Sequence, residues 1–329
     1  MRRPWLAPLI PFYRLALSVR ELRLLSGLEP VRRLRYSAVS IGNLSTGGSG
    51  KTPLTIALAQ ALAARGLRVD ILSRGYGRKS KLAARVNPNG VAEDYGDEPL
   101  LIARETSLPV YVASQRYDAG LLAEAEVQQT TAERRPPIVH LLDDGFQHRQ
   151  LARAVDILLL SLRDWQDFLL PAGNLREPLR AIRRAGVIAI PASETELEST
   201  LQALGWQGPV WRLRRAMEIP AASGPVAAFC GIARTQQFFT GLEASGIRLA
   251  FRVAYPDHHR YTARDLDRLI AAARAAGATA FITTEKDRVR MGNLASVFPT
   301  SLPLKTARLQ IEIEDQAVAI DWLIGRISS

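Results

Sequence analysis

A glycine-rich loop between a buried strand and a helix constrains this chain of 329 residues more than any other feature. Ser37-Ala38-Val39-Ser40-Ile41 reads as a short strand, Gly42 to Thr52 as a glycine- and serine-rich turn, and Leu54 to Arg65, dense in Ala and Leu, as a helix. Strand, loop, Gly50-Lys51-Thr52 and helix together make the P-loop arrangement. Backbone N–H groups can converge on phosphate oxygens only where side chains are absent, and the helix N-terminus adds favourable potential. The candidate nucleotide-binding residues are therefore Thr46, Gly47, Gly48, Ser49, Gly50, Lys51, Thr52 and Pro53. Lys51 would reach the β- and γ-phosphates, and Thr52 would offer its hydroxyl to Mg²⁺. Ser45 stands where the usual pattern has glycine, and Gly47 and Gly48 supply the flexibility instead.

A second run supports the first. Ile138-Val139-His140-Leu141-Leu142 ends in Asp143-Asp144-Gly145, the form of a strand whose terminal carboxylates meet the Mg²⁺ shell; the alternative is a pair of turn formers before a glycine. Strand-like runs at 69–73, 110–112, 155–160 and 187–190 alternate with helical segments. They predict an α/β fold: a P-loop NTPase-like, mostly parallel sheet with helices on both faces and ligands at the C-terminal strand edge. After Gly205-Trp206-Gln207-Gly208-Pro209 the pattern changes, with Trp211 to Ile219 read as an extended connector and strands expected at 226–230, 249–253 and 280–283. The expected organisation is a basic segment over 1–36, a nucleotide-binding domain over 37–210 and a smaller α/β domain over 220–329 that closes a cleft. Its last residues, beyond about 300, either stay with it or return to the first domain.

Charge narrows the partners. Lys and Arg number 43 against 32 Asp and Glu, for a net charge of +11, and the first 36 residues hold eight of the arginines with only Glu21 and Glu29 opposing them. Five residues are lysines, so Lys51 stands out. Aromatic residues are 7% of the chain, and no motif of aromatics interleaved with basic residues on a binding face is seen, which argues against nucleic acid. The single cysteine, Cys230, excludes a disulfide framework. Prolines and charges break residues 5–25 well short of the ~20 apolar residues that a membrane span requires, and no cleavage site follows an apolar stretch. A helix starting near Pro11 would set Phe12, Leu15, Val19 and Leu22 on one stripe. Such a helix either lies in the interface of an anionic membrane or packs on its own domain.

Other clusters carry candidate chemistry with an ordinary alternative beside each. Asp97, in Gly96-Asp97-Glu98-Pro99, is a base or, as the residues alone favour, a helix cap. In Asp257-His258-His259 a histidine could pair with a carboxylate across the cleft or sit in an exposed loop. Ser73-Arg74-Gly75-Tyr76-Gly77-Arg78 follows a strand end, where arginines can hold phosphate, or is a glycine turn. Leu175-Arg176-Glu177-Pro178 and Thr284-Glu285-Lys286-Asp287 are charged clusters at element ends.

Taken in order, these motifs resemble the tetraacyldisaccharide 4′-kinases, the lipid A 4′-kinases of Gram-negative bacteria. The resemblance also rests on Asp143-Asp144-Gly145-Phe146-Gln147-His148 and Leu170-Pro171-Ala172-Gly173, and it runs over about residues 37–290. It implies transfer of the γ-phosphate of ATP, with Mg²⁺, to the 4′-hydroxyl of an acylated glucosamine disaccharide 1-phosphate at the cytoplasmic face of the bacterial inner membrane. It further implies Asp97 as general base with His258, preferred to His259, as its partner. Asp143, Asp144 and Gln147 would line the reacting centre beside Lys51, and Glu177 would join Thr52 and the two aspartates around the metal. Arg74, Tyr76, Arg176 and His259 are the implied substrate contacts. The rival is a P-loop ATPase switch at the membrane, which would carry lysine where Thr46 stands. A GTPase would need an Asn-Lys-x-Asp motif, of which Thr284-Glu285-Lys286-Asp287 keeps only part.

Overall fold

The structure, a computed structural model, describes residues 3–129 and 136–328. Its first half runs α1 (Ile10–Leu25), β1 (Ser37–Asn43), α2 (Lys51–Ala64), β2 (Arg68–Ser73), β3 (Ala84–Arg85), α3 (Ala92–Tyr95), α4 (Asp97–Thr106), β4 (Val110–Val112), α5 (Arg116–Gln129), β5 (Ile138–Leu142), β6 (Val155–Leu159), α6 (Leu162–Trp165), β7 (Val187–Pro191) and α7 (Thr195–Ala203). The second half runs β8 (Val210–Glu218), β9 (Val226–Cys230), α8 (Thr235–Ala244), β10 (Leu249–Ala254), α9 (Ala263–Ala275), β11 (Ala280–Thr284), α10 (Glu285–Met291), β12 (Leu304–Ile313) and α11 (Gln316–Ile327). The strands form one sheet in the order β10-β9-β11-β12-β8-β7-β6-β1-β5-β2-β4-β3. Pairing is parallel except for β3 with β4 and β8 with β12.

Period-two alternation in the strands divides the core between the two faces of the sheet. Val39, Ile41, Ile71, Leu141 and Ile157 face one side, where α2, α4 and α11 add Leu58, Leu100, Ile102, Ile320 and Leu323. On the other side Leu72 and Leu142 meet Ala119 and Ala123 of α5, while Leu158, Ile188 and Ile190 meet Leu197 and Leu201 of α7. Strands buried on both faces read as continuous apolar runs, which is why they were visible in the sequence. Because β1 lies between β5 and β6, the loop after it opens at the middle of the sheet edge.

The 211–219 segment is a strand rather than a connector. In β8, Trp211 and Leu213 are buried while Arg212 and Arg214 are exposed, the pattern of a strand with one covered face. It pairs with β7 on one side and β12 on the other, so the sheet continues across the expected domain boundary. Beyond it, β9 and β11 carry two cores of their own, one with Leu266 and Leu269 of α9 and one with Phe238, Phe239 and Leu242 of α8. The last helix returns to the first half: Ile320 and Leu323 join its core, and Ser37 Oγ donates to the carbonyl of Ile327 at 2.9 Å.

Helix α1 splits its apolar surface. Ile10, Tyr13 and Leu17 pack against the core beneath α7, and Tyr13 Oη donates to the carbonyl of Arg176. Phe12, Leu15, Val19 and Leu22 stay exposed, Phe12 at 71%, and Trp5 and Leu25 extend the patch. The helix therefore packs on its own domain along one side and leaves the stripe of Phe12, Leu15, Val19 and Leu22 uncovered on the other. No helix of the described residues is long and apolar enough to cross a membrane.

Candidate active site

The phosphate loop is held by its neighbours. Thr46 N–H donates to the carbonyl of Asn174 and Arg176 N–H to the carbonyl of Leu44, pinning the loop to the segment that carries Arg176. Ser45 is buried, and its hydroxyl accepts from Asn43 Nδ2, a use that glycine could not serve. Gly50 enters α2 at φ +96°, and a Cβ there would meet Ile311 and Arg215. At Gly42 a Cβ would lie 2.5 Å from Cβ of Phe146, so glycine lets the end of β1 approach the segment after β5. Lys51 Nζ donates to Asn43 Oδ1 at 3.0 Å and lies 3.6 Å from Asp144 Oδ1.

Two adjacent aspartates at the end of β5 sit in different fields. Asp144 adopts φ +49°, a left-handed conformation that aims its carboxylate at Lys51 and at Arg176 Nη1, 3.0 Å away. Burial opposes its charge, but Lys51, Arg176 and Arg116 together hold its pKa below the ordinary value. Asp143 is fully buried and accepts from Thr55 Oγ1 at 3.2 Å. Burial, then Glu98 and Asp144, push it up to about 7. A buried carboxylate among acids, close to the loop that presents Thr52, suits a hard divalent cation. Among the described residues no group of three or more His, Cys, Asp or Glu forms a metal cage; Mg²⁺ is generally held by few protein groups together with nucleotide phosphates.

Asp97 begins α4 and is almost wholly buried. His258 Nδ1 lies 3.1 Å from its Oδ2, and Arg290 Nε and Nη2 donate to the same oxygen at 2.7 and 2.6 Å. Burial works against its charge, yet the hydrogen bond from His258 and the cations Arg290 and Lys286 hold the carboxyl far below the usual range. The bond to Asp97, against opposing burial, raises the pKa of His258. His258 itself has φ +60°, a second left-handed residue at the site. The next residue, Glu98, pairs with Lys286 at 2.5 Å. Lys286 and Arg290, one turn apart on α10, thus bind the neighbouring acids Asp97 and Glu98 on α4.

One cleft of 1180 Å³ is lined by Thr46 to Pro53, Arg74, Tyr76, Glu98, Asp143, Asp144, Gln147, Arg176, His258 and Lys286; Asp97 and Arg290 are not in its lining and connect to it through His258. Tyr76 faces the ring of His258 at 5.6 Å between centroids. Gln147 Nε2 donates to the carbonyl of Asn43 while its Oε1 accepts from Arg176 at 3.3 Å. Two expected residues are directed elsewhere. Glu177 bonds Arg184 Nη2 at 2.6 Å rather than facing Asp143 and Asp144, and does not line the cleft. His259, expected to contact substrate, bonds Asp265 at the start of α9 at 3.2 Å and stacks on Tyr255, outside the cleft lining. Sequence reasoning also passed over Arg290 and Arg116, whose guanidinium holds the carbonyls of Asp143 and Asp144 at 2.7 and 2.8 Å.

A family model described as tetraacyldisaccharide-1-P 4′-kinase matches residues 2–328. The tetraacyldisaccharide 4′-kinase of Koribacter versatilis is 37% identical over 328 residues, covering 96% of this chain and 97% of the relative. That of Neisseria gonorrhoeae is 39% identical over 287 residues, covering 82% and 77%. The crystal structure of LpxK from Aquifex aeolicus in complex with ATP matches with a TM-score of 0.74 at 29% identity over 98% of each chain. On this coverage and identity the chain belongs to the tetraacyldisaccharide 4′-kinase family.

Proposed function

We propose that this chain transfers the γ-phosphate of ATP to the 4′-hydroxyl of a tetraacylated glucosamine disaccharide 1-phosphate, in lipid A biosynthesis. Membership of the family makes it an ATP-dependent phosphotransferase acting on a hydroxyl group. The observation that carries the residue-level reading is Asp97, held by Arg290 and bonded to His258, which lines the same cleft as the phosphate loop.

A sugar hydroxyl is a poor nucleophile, with a pKa far above neutrality. It needs positioning, a proton acceptor and neutralisation of the phosphoryl oxygens. Asp97, ionised and fixed by His258 and Arg290, takes the proton as the hydroxyl attacks, and His258 shares the charge change through Nδ1. Lys51 and the N–H groups of Gly47 to Thr52 neutralise the phosphates. Thr52, Asp143 and Asp144 would hold Mg²⁺, which when bound offsets the negative charge of the phosphoryl groups. Gln147 and Arg176 orient the acceptor beside Asp144, with Arg74 and Tyr76 at the rim. The part of the chain from β9 to α10 carries His258, Lys286 and Arg290 and so completes the site from the opposite side of the cleft, excluding water that would hydrolyse ATP.

The exposed apolar stripe of α1, rimmed by arginines, supports association with the anionic surface at the cytoplasmic face of the bacterial inner membrane. Incubation with labelled ATP, Mg²⁺ and the disaccharide 1-phosphate lipid tests the function. Label should move to the lipid; ATP hydrolysis without lipid labelling would refute the kinase reading.

A further inference from the structure

Of the charged cluster Thr284-Glu285-Lys286-Asp287, Lys286 bonds Glu98, while Asp287 has no part in the proposed chemistry. Asp287 is wholly buried and does not line the cleft, yet its carboxylate is filled with donors. Oδ1 accepts from the N–H of Gly231 at 3.0 Å, from Tyr261 Oη at 2.9 Å and from Arg290 Nη1 at 3.2 Å. Oδ2 accepts from Thr284 Oγ1 at 2.6 Å. Burying a carboxylate is costly unless it is both paired and hydrogen-bonded, and here it is both.

These contacts lead to Asp97 by two routes. Arg290 turns Nη1 to Asp287 and to the carbonyl of Gly231, 2.5 Å away, and its Nε and Nη2 to Asp97 Oδ2. All three nitrogens of the planar fork are engaged, so it cannot swing from one acid without losing the other. His258 is reached through the main chain. Its N–H donates to the carbonyl of Gly231 at 3.1 Å, and the N–H of Gly231 is the one that Asp287 holds. Glycine is needed there because a Cβ would lie 3.0 Å from the carbonyl oxygen of Pro256, 3.1 Å from Cβ of His259 and 3.3 Å from Asp287 Oδ1. One oxygen atom thus sets both partners of Asp97, the guanidinium and the left-handed residue that carries the imidazole. Resting on the proposed function, we infer that Asp287 is a positioning residue for the proton transfer: through Arg290 and Gly231 it fixes the Asp97 carboxylate without lining the cleft itself. The alternative is that Asp287 only ties α10 to the end of β9 and to Tyr261.

The test is a double-mutant cycle in kcat on the full-length protein with ATP, Mg²⁺ and the lipid acceptor, using Asp287→Asn, Arg290→Met and the two combined. Asp287→Asn keeps the size of the side chain and removes its charge. It should lower kcat about tenfold with the KM for ATP within about twofold, and add less than about twofold once Arg290 is Met. Losses that multiply would overturn the inference. The acid limb of the kcat profile supplies the sign. Removing an anion beside Arg290 with the geometry intact favours the charged form of Asp97 and moves the limb to lower pH. Releasing Arg290 favours the protonated acid and moves it to higher pH. His258, Lys286 and Glu98, which also face Asp97, stay in place in every variant. An upward shift of about half a unit is expected; a downward shift, or none, would leave Asp287 a structural tie. Should Asp287→Asn lower the melting temperature sharply, Tyr261→Phe keeps the ring against Phe229 and removes one donor to Oδ1. It should cost about threefold in kcat and nothing further on Arg290→Met; wild-type kcat would overturn the inference. Asp97→Asn measured alongside separates the two readings. If it is inactive while Asp287→Asn and Tyr261→Phe match wild type, only the positioning role falls; if it turns over normally, both fall.

Discussion

Asp97 and Asp143 are both buried, Asp143 lining the cleft and Asp97 bonded to the His258 that lines it, and their surroundings drive them in opposite directions. Asp97 is clasped by Arg290 and His258, with Lys286 nearby, so its charged form persists well into acid. Asp143 faces Glu98 and Asp144 and is pushed up to about 7, with Lys51 and Lys286 lowering it too little to compensate. Burial penalises both charges alike; the neighbours decide the outcome. On the proposed function, the carboxylate already matched by protein cations is the one held ionised and oriented to accept the hydroxyl proton. One left among acids is a place for a metal ion to complete.

That contrast can be broken from either side. The largest effect is expected for Asp97→Asn, which should lower kcat by two orders of magnitude or more with ATP affinity nearly intact. Turnover close to wild type would reduce Asp97 to a helix-start residue. Arg290→Met removes the main cation at Asp97 and leaves Asp287 short of one as well. Losing a cation favours the protonated acid, so the acid limb of the kcat profile should move to higher pH, by about one unit, with kcat down roughly tenfold. Arg290→Lys should restore most of both; a pH-independent loss would mean that Arg290 only supports the fold.

Smaller effects test the edges of the site. Replacing exposed Phe12, Leu15 and Leu22 with Ser should release the protein from anionic vesicles several-fold with little change in melting temperature; unchanged vesicle binding would remove the membrane role of α1. Smallest is the response of melting temperature to Mg²⁺ without nucleotide. Burial, with Glu98 and Asp144 beside it, pushes the Asp143 carboxyl up to about 7, well above the usual carboxylate range. Protons therefore compete with the cation below 7 and not above it, so Mg²⁺ should raise the melting temperature more at pH 8 than at pH 6. An equal rise at both pH values would contradict a metal role for Asp143.

What the sequence made legible follows the same division. The loop side of the cleft is built from neighbours in the chain: Gly47 to Thr52 are contiguous, and Asp143 and Asp144 end one apolar strand. The Asp97 side is built across the fold. His258 and Arg290 lie 161 and 193 residues from Asp97 and reach it through the placement of β9 and β11. Nothing local distinguishes Arg290 among 43 basic residues, although Thr284-Glu285-Lys286-Asp287 marked the right helix. Strand β8 was missed because four of its residues are arginine or glutamate, and only pairing with β7 and β12 makes it a strand. Glu177 and His259 were expected in the cleft, but Arg184 and Asp265 offer each a nearer partner.

The most direct test sets the two aspartates against each other in one preparation each. Mg²⁺-dependent nucleotide binding and single-turnover transfer to the lipid acceptor are measured for Asp97→Asn and Asp143→Asn. Asp97→Asn should bind nucleotide with the Mg²⁺ dependence of wild type and fail to transfer; Asp143→Asn should lose the Mg²⁺ dependence of binding itself. If Asp97→Asn loses the Mg²⁺ dependence, or Asp143→Asn retains it, the division of labour between the two carboxylates is wrong.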